Sequence, residues 1–401
     1  MKLRIGVLMA FTFLSVNVFS QEISDTKFGK GMFNFTAKDS SFSVNFAPRI
    51  QFRSMTTWNY DGENFGNPEQ NFLIRRARLK FKGFAYSPKL QYKIELGLSN
   101  RDISGANQFT GNAPRFILDA VVMWNFYENF ELWVGQTKLP GNIERVISSG
   151  NLEFIDRSIL NSHFNLDRDV GFQLRHLIHW GGDFYTREKF AFSQGEGRNI
   201  TTGNLGGFEY TGRLELLPFG EFEHGGDYSS ADLVREETPK LMMGFTYDFN
   251  DNAVKTRGNQ GSYMFLSNND LYQTDITTTF LDAMFKYEGF SLMTEYAHRN
   301  AKEPVAMQQG ESTPTGDIVL EGNAFNIQAG YVFPSNYQIA ARYTENSYAN
   351  VTGEADRNEY TLGLSKYIVG HKLKVQTDFN YDTLGGIQDE ISWRLGFDLH
   401  F

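Results

Sequence analysis

Three basic residues at alternate positions, Arg76, Arg78 and Lys80, are the first feature of this sequence that could do chemistry, and Lys82 continues the row. Ala77, Leu79 and Phe81 fill the places between them. On an extended strand alternate side chains share a face and stand roughly 7 Å apart, so the charges form a ladder. Arg49 and Arg53 lie opposite Ile50 and Phe52 on the preceding segment, and Arg394 lies on the last segment of the chain. Together Arg49, Arg53, Arg76, Arg78, Lys80 and Arg394 form a basic patch that would attract anions and ease the removal of their water. Arginine suits phosphate best, because its fork matches two oxygens and its charge is permanent. Rows of this kind line anion pores. A competing reading is an unselective wall, because Glu95, Asp119, Glu131, Glu209, Glu215, Asp248, Glu295, Glu359 and Asp378 fall on the same kind of face in their own segments.

Other chemistry is thinly represented. His176 and His179 are three residues apart, but no HExxH motif occurs. Asp248, Asn250, Asp251 and Asn252 read as a solvated turn before they read as a calcium loop. There is no cysteine, no G-x-S-x-G elbow, no Walker loop and no dinucleotide fingerprint. The expectation is therefore no catalytic residue, no metal and no cofactor.

The basic patch needs a scaffold with one wet and one apolar face. Period-two alternation runs through the chain, as expected of strands that separate two environments. The final segment is the clearest: Trp393, Leu395, Phe397, Leu399 and Phe401 alternate with Arg394, Gly396, Asp398 and His400. Leu90 to Leu98, Phe208 to Leu216 and Leu373 to Tyr381 repeat the pattern. Sixteen strands are expected, at 48–59, 70–87, 89–99, 115–126, 130–138, 168–177, 182–192, 205–217, 240–249, 276–287, 290–299, 323–333, 336–346, 357–368, 371–381 and 390–401. Each is long enough to cross a bilayer at a tilt. Short and long connections alternate, as turns and loops do on the two sides of a membrane. The fold class is thus all-β, a transmembrane antiparallel β-barrel of sixteen strands around an aqueous lumen.

Two connections and one residue break this regularity. The third loop, 139–166, is amphipathic, and an inward fold that narrows the lumen is favoured over an external cap. Its charged residues Glu144, Arg145, Glu153, Asp156 and Arg157 are then constriction candidates. The stretch from Pro218 to Pro239 is long where a short periplasmic turn is due. Arg75 falls on the lipid face, near the extracellular end, where it would snorkel toward headgroups.

Lys2 and Arg4, followed by the apolar Ile5 to Leu14, read as an export signal with cleavage after Ser20. The domains are then 1–20 signal peptide, 21–47 N-terminal segment and 48–401 barrel. Removing the signal leaves 36 basic against 47 acidic residues, or −11. Any attraction for anions must therefore be local, and nucleic acid is not an expected partner. The expected location is the bacterial outer membrane, with lipid and lipopolysaccharide around the barrel. A terminal strand with Phe last is the kind of signal that barrel-assembly machinery reads.

Several motifs, in this order, resemble the phosphate-selective porin O and P family: Phe28–Gly31, Arg49–Gln51, Arg75–Arg78, Val134–Lys138, Leu152–Arg157, Arg168–Gly171, Tyr210–Leu214, Ala329–Tyr331 and Ala341–Tyr343. The resemblance covers nearly the whole chain after the signal. It implies a sixteen-stranded barrel, usually a homotrimer, with an arginine ladder, an inward third loop, a lysine-rich vestibule and small anions as permeants. The match departs in the acids of the third loop and in the lack of a visible lysine cluster at the periplasmic side. The resulting expectation is a passive porin for small hydrophilic solutes that prefers phosphate or polyphosphate. The alternatives are a porin without phosphate selectivity, a barrel-embedded hydrolase and a plugged structural or adhesion barrel.

Overall fold

The structure is a computed structural model that describes residues 27–60, 62–307, 314–385 and 388–401. The expected signal peptide lies outside the described residues. An N-terminal hairpin, β1 (Phe33–Thr36) and β2 (Ser43–Phe46), precedes β3 (Arg49–Asn59), β4 (Glu69–Ala85), β5 (Ser87–Gly97), β6 (Ile117–Tyr127) and β7 (Phe130–Lys138). Next come β8 (Arg168–Gly181), β9 (Phe184–Ser193), β10 (Glu209–Leu217) and β11 (Lys240–Ala253). A small separate hairpin, β12 (Lys255–Arg257) and β13 (Gln260–Tyr263), lies in a loop. The series ends with β14 (Thr274–Tyr287), β15 (Phe290–Ala301), β16 (Gly322–Val332), β17 (Tyr337–Tyr348), β18 (Arg357–Val369), β19 (Leu373–Leu384) and β20 (Gln388–His400). Short helices α1 (Asn100–Ile103), α2 (Ile143–Val146) and α3 (Ile159–Phe164) sit in loops.

Strands β3–β11 and β14–β20 pair antiparallel with their neighbours, and β20 pairs back onto β3 from Glu390–Asn59 to His400–Arg49. The sixteen-stranded sheet therefore closes and leaves no edge. That closure is what a chain needs where hydrocarbon offers its backbone no hydrogen bonds. The tight turns β4–β5, β6–β7, β8–β9, β14–β15, β16–β17 and β18–β19 share one end. Between β14 and β15 only Glu288 and Gly289 intervene, both at positive φ (46° and 93°), a turn whose twist matches the strands it joins.

The two faces of the wall are inverted relative to a water-soluble protein. Leu281, Phe245, Ile339, Leu362, Phe379 and Phe397 are exposed, whereas Arg213, Glu215, Asp378 and Lys374 are buried. An apolar surface of that extent is stable only against lipid. Beyond Pro48, which lacks an N–H and interrupts the ladder, β2 continues the line of β3 and pairs with β4 at Asn45–Lys82 and Phe46–Phe81.

Two sequence expectations change. Arg75 does not snorkel outward. The β3–β4 register passes from Gln51–Arg76 to Phe52–Ile74, so Arg75 is the extra residue of a bulge. Its guanidinium turns inward, 2.7 Å from Asp156. The stretch 218–239 also acquires a physical account, because it packs into the short-turn end and satisfies that end's polar groups. Asp232 accepts from the Gly289 N–H at 2.7 Å, Lys286 donates to the Ala231 carbonyl at 2.8 Å, and Arg235 donates to the Glu288 carbonyl at 2.7 Å.

Leu281 sits mid-strand on the lipid face, paired with Phe245 and Tyr296. Leu281→Arg should destabilise the barrel by roughly 2–4 kcal/mol, read by denaturant unfolding in lipid vesicles. A cost near zero would place that face in water.

Candidate permeation path

The segment 139–167 leaves β7 and returns to β8, yet most of its polar partners lie on the opposite wall. Gln328 and Gln338 each donate to the Glu153 carboxylate at 2.6 Å. Gln376 donates to the Glu153 carbonyl at 2.7 Å, and Lys374 to the Leu152 carbonyl at 2.6 Å. The Ile155 N–H donates to Asp378 at 3.2 Å, and Arg299 donates to the His163 and Phe164 carbonyls at 2.8 and 2.9 Å. Glycines on the inner face give the segment its seats. A Cβ on Gly363 would stand 3.0 Å from the Phe154 ring, and one on Gly396 would stand 3.0 Å from Ile155. On the near side, Lys138 donates to the Arg145, Val146 and Ile147 carbonyls that end α2.

The stretch 218–239 supports the segment from the short-turn end, where the Ser230 N–H donates to the Asn151 carbonyl at 2.9 Å. Ile143, Ile147 and Leu152 pack there with Phe222, Leu217, Met242, Met284 and Met293, an apolar core inside the barrel. The lumen is consequently lopsided. Inward residues of β10–β19 such as Thr246, Glu295, Met293 and Gln376 are buried. On the inner face of β4–β8, by contrast, Lys80, Lys93, Met123, Glu131, Trp133 and Arg175 remain partly exposed, although Arg76, Glu95 and Asp119 are buried there.

On the open side, toward the long loops, lies a cavity of about 460 Å³. Eleven arginines line it: Arg75, Arg76, Arg78, Arg101, Arg115, Arg145, Arg157, Arg168, Arg198, Arg257 and Arg394. Only four carboxylates share the lining, Asp102, Asp156, Asp167 and Glu359. Several of these guanidiniums bond to neutral acceptors. Arg115 donates to the Ser104 carbonyl at 2.9 Å, Arg198 to that of Asp102 at 2.7 Å, and Arg157 to those of Glu144 and Ile147. None of these three arginines has an ion pair among those of the described residues, and all three line the cavity.

The six residues of the basic patch take different places. Arg76, Arg78 and Arg394 line the cavity. Arg76 donates to Gln51, Arg78 pairs with Glu95 (3.0 Å) and Asp102 (3.2 Å), and Arg394 pairs with Asp378 (2.5 Å). Arg53 pairs with Asp156. Arg49 lies lower, buried, bound to Asp398 (2.5 Å) and to Ser149 of the crossing segment. Lys80 stands opposite Glu95 and shares a periplasmic-side pocket with Lys82 and Lys93. A lysine cluster thus exists there after all. Lys82 and Lys93 are partners across β4 and β5, a proximity that linear spacing hides.

Among the five loop candidates, Arg145, Asp156 and Arg157 face the cavity. Glu144 is buried and accepts from Ser158, while Glu153 sits among the glutamines. Arg75, Arg101, Arg115, Arg168, Arg198 and Arg257 were missed. The first depends on a bulge, Arg168 opens β8 directly after the long third loop, and the others lie in aperiodic loops. His176 stacks on Phe130 at 3.9 Å and His179 on Tyr185 at 4.3 Å, which accounts for both rings.

Solved barrels share this architecture. A porin complex from Salmonella typhi, OmpF with daunomycin, aligns with TM-score 0.55 and 11% identity, covering 92% of this chain and 100% of that one. The outer-membrane channel DcaP of Acinetobacter baumannii gives 0.54 and 10%, covering 91% and 99%. An anion-selective porin from Comamonas acidovorans gives 0.53 and 12%, covering 90% and 100%. An uncharacterised protein of Aquifex aeolicus (strain VF5) is 23% identical over 355 residues, 82% of this chain and 79% of its own length. The model of one family, phosphate-selective porin O and P, matches residues 50–382. With the closed sheet, the lipid-facing exterior and that match together, this chain belongs to the phosphate-selective porin O and P family and is an outer-membrane channel.

Proposed function

We propose that this chain is a passive, water-filled channel that prefers small anions, phosphate or polyphosphate among them, and that the segment 139–167 is its constriction. The observation that carries this reading is the cavity in which eleven arginines face four carboxylates. Glu95, Asp119 and Asp378 behind the lining pair with Arg78, Arg168 and Arg394, and the basic excess that remains outweighs an acidic chain, because low-dielectric walls focus the field of nearby groups and salt screens distant ones.

The unselective alternative relied on acids along the inner wall. Glu209, Glu215, Asp248, Glu295 and Asp378 are all buried on the filled side, away from the open one. Glu95 and Asp119 are buried against Arg78, Lys93 and Arg168. The charges left beside the path are thus mainly basic. On the same proposed footing, the barrel is a homotrimer amid lipid and lipopolysaccharide, assembled through the strand that ends at Phe401.

Reversal potentials of the refolded protein across planar bilayers, in a potassium chloride gradient, test this. Anion selectivity, and block of the chloride current by added phosphate, are the expected results; cation selectivity without block would refute the reading. Replacing Arg76 and Arg78 together by alanine should shift the reversal potential toward that of cations.

A second measurement addresses the constriction. Gly396→Val would place a branched side chain where Ile155 now sits, so the segment must move off the wall. Single-channel conductance should rise and selectivity should fall. An unchanged conductance would show that the segment does not limit the path.

A further inference from the structure

Asp156 stands where the channel would be expected to hold an anion. Its carboxylate pairs with Arg53, with Arg75 at 2.7 Å and with Arg394 at 4.0 Å. The side chain is 12% exposed and lines the arginine-rich cavity. Two oxygens against converging guanidinium forks reproduce the contact that a phosphate would make.

We propose that Asp156 is a built-in counter-ion, occupying the anion position of this arginine cluster and setting how weakly the channel holds a permeating anion. The proposal rests on the anion-channel reading and adds a specificity-determining residue to it. Conduction requires a site strong enough to admit an ion and weak enough to release it. Three guanidiniums without a fixed partner would form a trap. With Asp156 in place, a passing anion must share or displace contacts already made.

The backbone around Asp156 has its own anchors, so the carboxylate is not needed to hold the segment. Arg342 donates to the Asp156 carbonyl at 3.1 Å, and the Ile155 N–H donates to Asp378. Arg394 keeps a second partner in Asp378 at 2.5 Å. Among the ion pairs of the described residues, Arg53 and Arg75 pair with Asp156 alone. Burial would push the Asp156 carboxyl up. The facing charges of Arg75, Arg394, Arg53 and Arg76 override this and hold it well below the ordinary carboxylate range. The group therefore stays anionic over the working pH range.

The test uses full-length protein in planar bilayers, with inorganic phosphate titrated against the chloride current. Asp156→Asn keeps the shape and removes the charge. Its half-blocking phosphate concentration should fall about tenfold, equivalent to about 1.4 kcal/mol, with anion selectivity retained. Asp156→Glu, which keeps the charge, should behave as the wild type. Equal block by wild type and Asp156→Asn would overturn the proposal while leaving wild-type anion selectivity intact. A rise in conductance with loss of selectivity would also overturn it, by making Asp156 a tether. A wild-type channel with no anion preference overturns both this inference and the reading beneath it.

Discussion

Hydrocarbon offers a backbone amide nothing to bond, and leaving one unpaired there costs several kcal/mol. The ladder from β3 around to β20 answers that constraint by closing on itself. Once it closes, the pleat sends alternate side chains to lipid and to the interior. Leu395, Phe397 and Trp393 go outward, and Arg394, Gly396 and Asp398 go inward. The placement of arginines inside the barrel is a consequence of this geometry.

A sixteen-strand wall encloses more space than its own side chains fill, and this chain fills part of it with its own connections. The segment 139–167 and the stretch 218–239 meet through Asn151 and Ser230 and cover the inner face of β10–β19. Burying charged groups is tolerable only where each is paired and bonded. Two arginines on the filled side meet that condition: Arg213 lies between Glu215 and Asp282, both at 2.7 Å, and Arg342 donates to Glu359 at 2.8 Å. What stays open is the side where basic residues outnumber their partners.

The strands were legible because a membrane wall imposes a strict period of two, and all sixteen expected segments overlap observed strands. The inward direction of Arg76, Arg78 and Arg394 follows from the same period. Arg75 was misread because one bulge reverses a side chain without leaving a trace in hydropathy. Asp156 reaches Arg53 across 103 residues and Arg394 across most of the barrel sequence. No local pattern encodes such a meeting. The cavity arginines on loops, Arg101, Arg115, Arg198 and Arg257, have no period at all. The role of 218–239 emerges only when its Asp232 carboxylate is seen to accept from the Gly289 N–H of a neighbouring turn.

The central claim is that ions pass along the basic side of a half-filled barrel. Because the chain has no cysteine, single cysteines report on this directly. Lys93→Cys lies on the open side and Met293→Cys on the filled side. With a charged, water-soluble thiol reagent added to a conducting bilayer, Lys93→Cys should react and lose current while Met293→Cys stays silent. The reverse pattern would contradict the account.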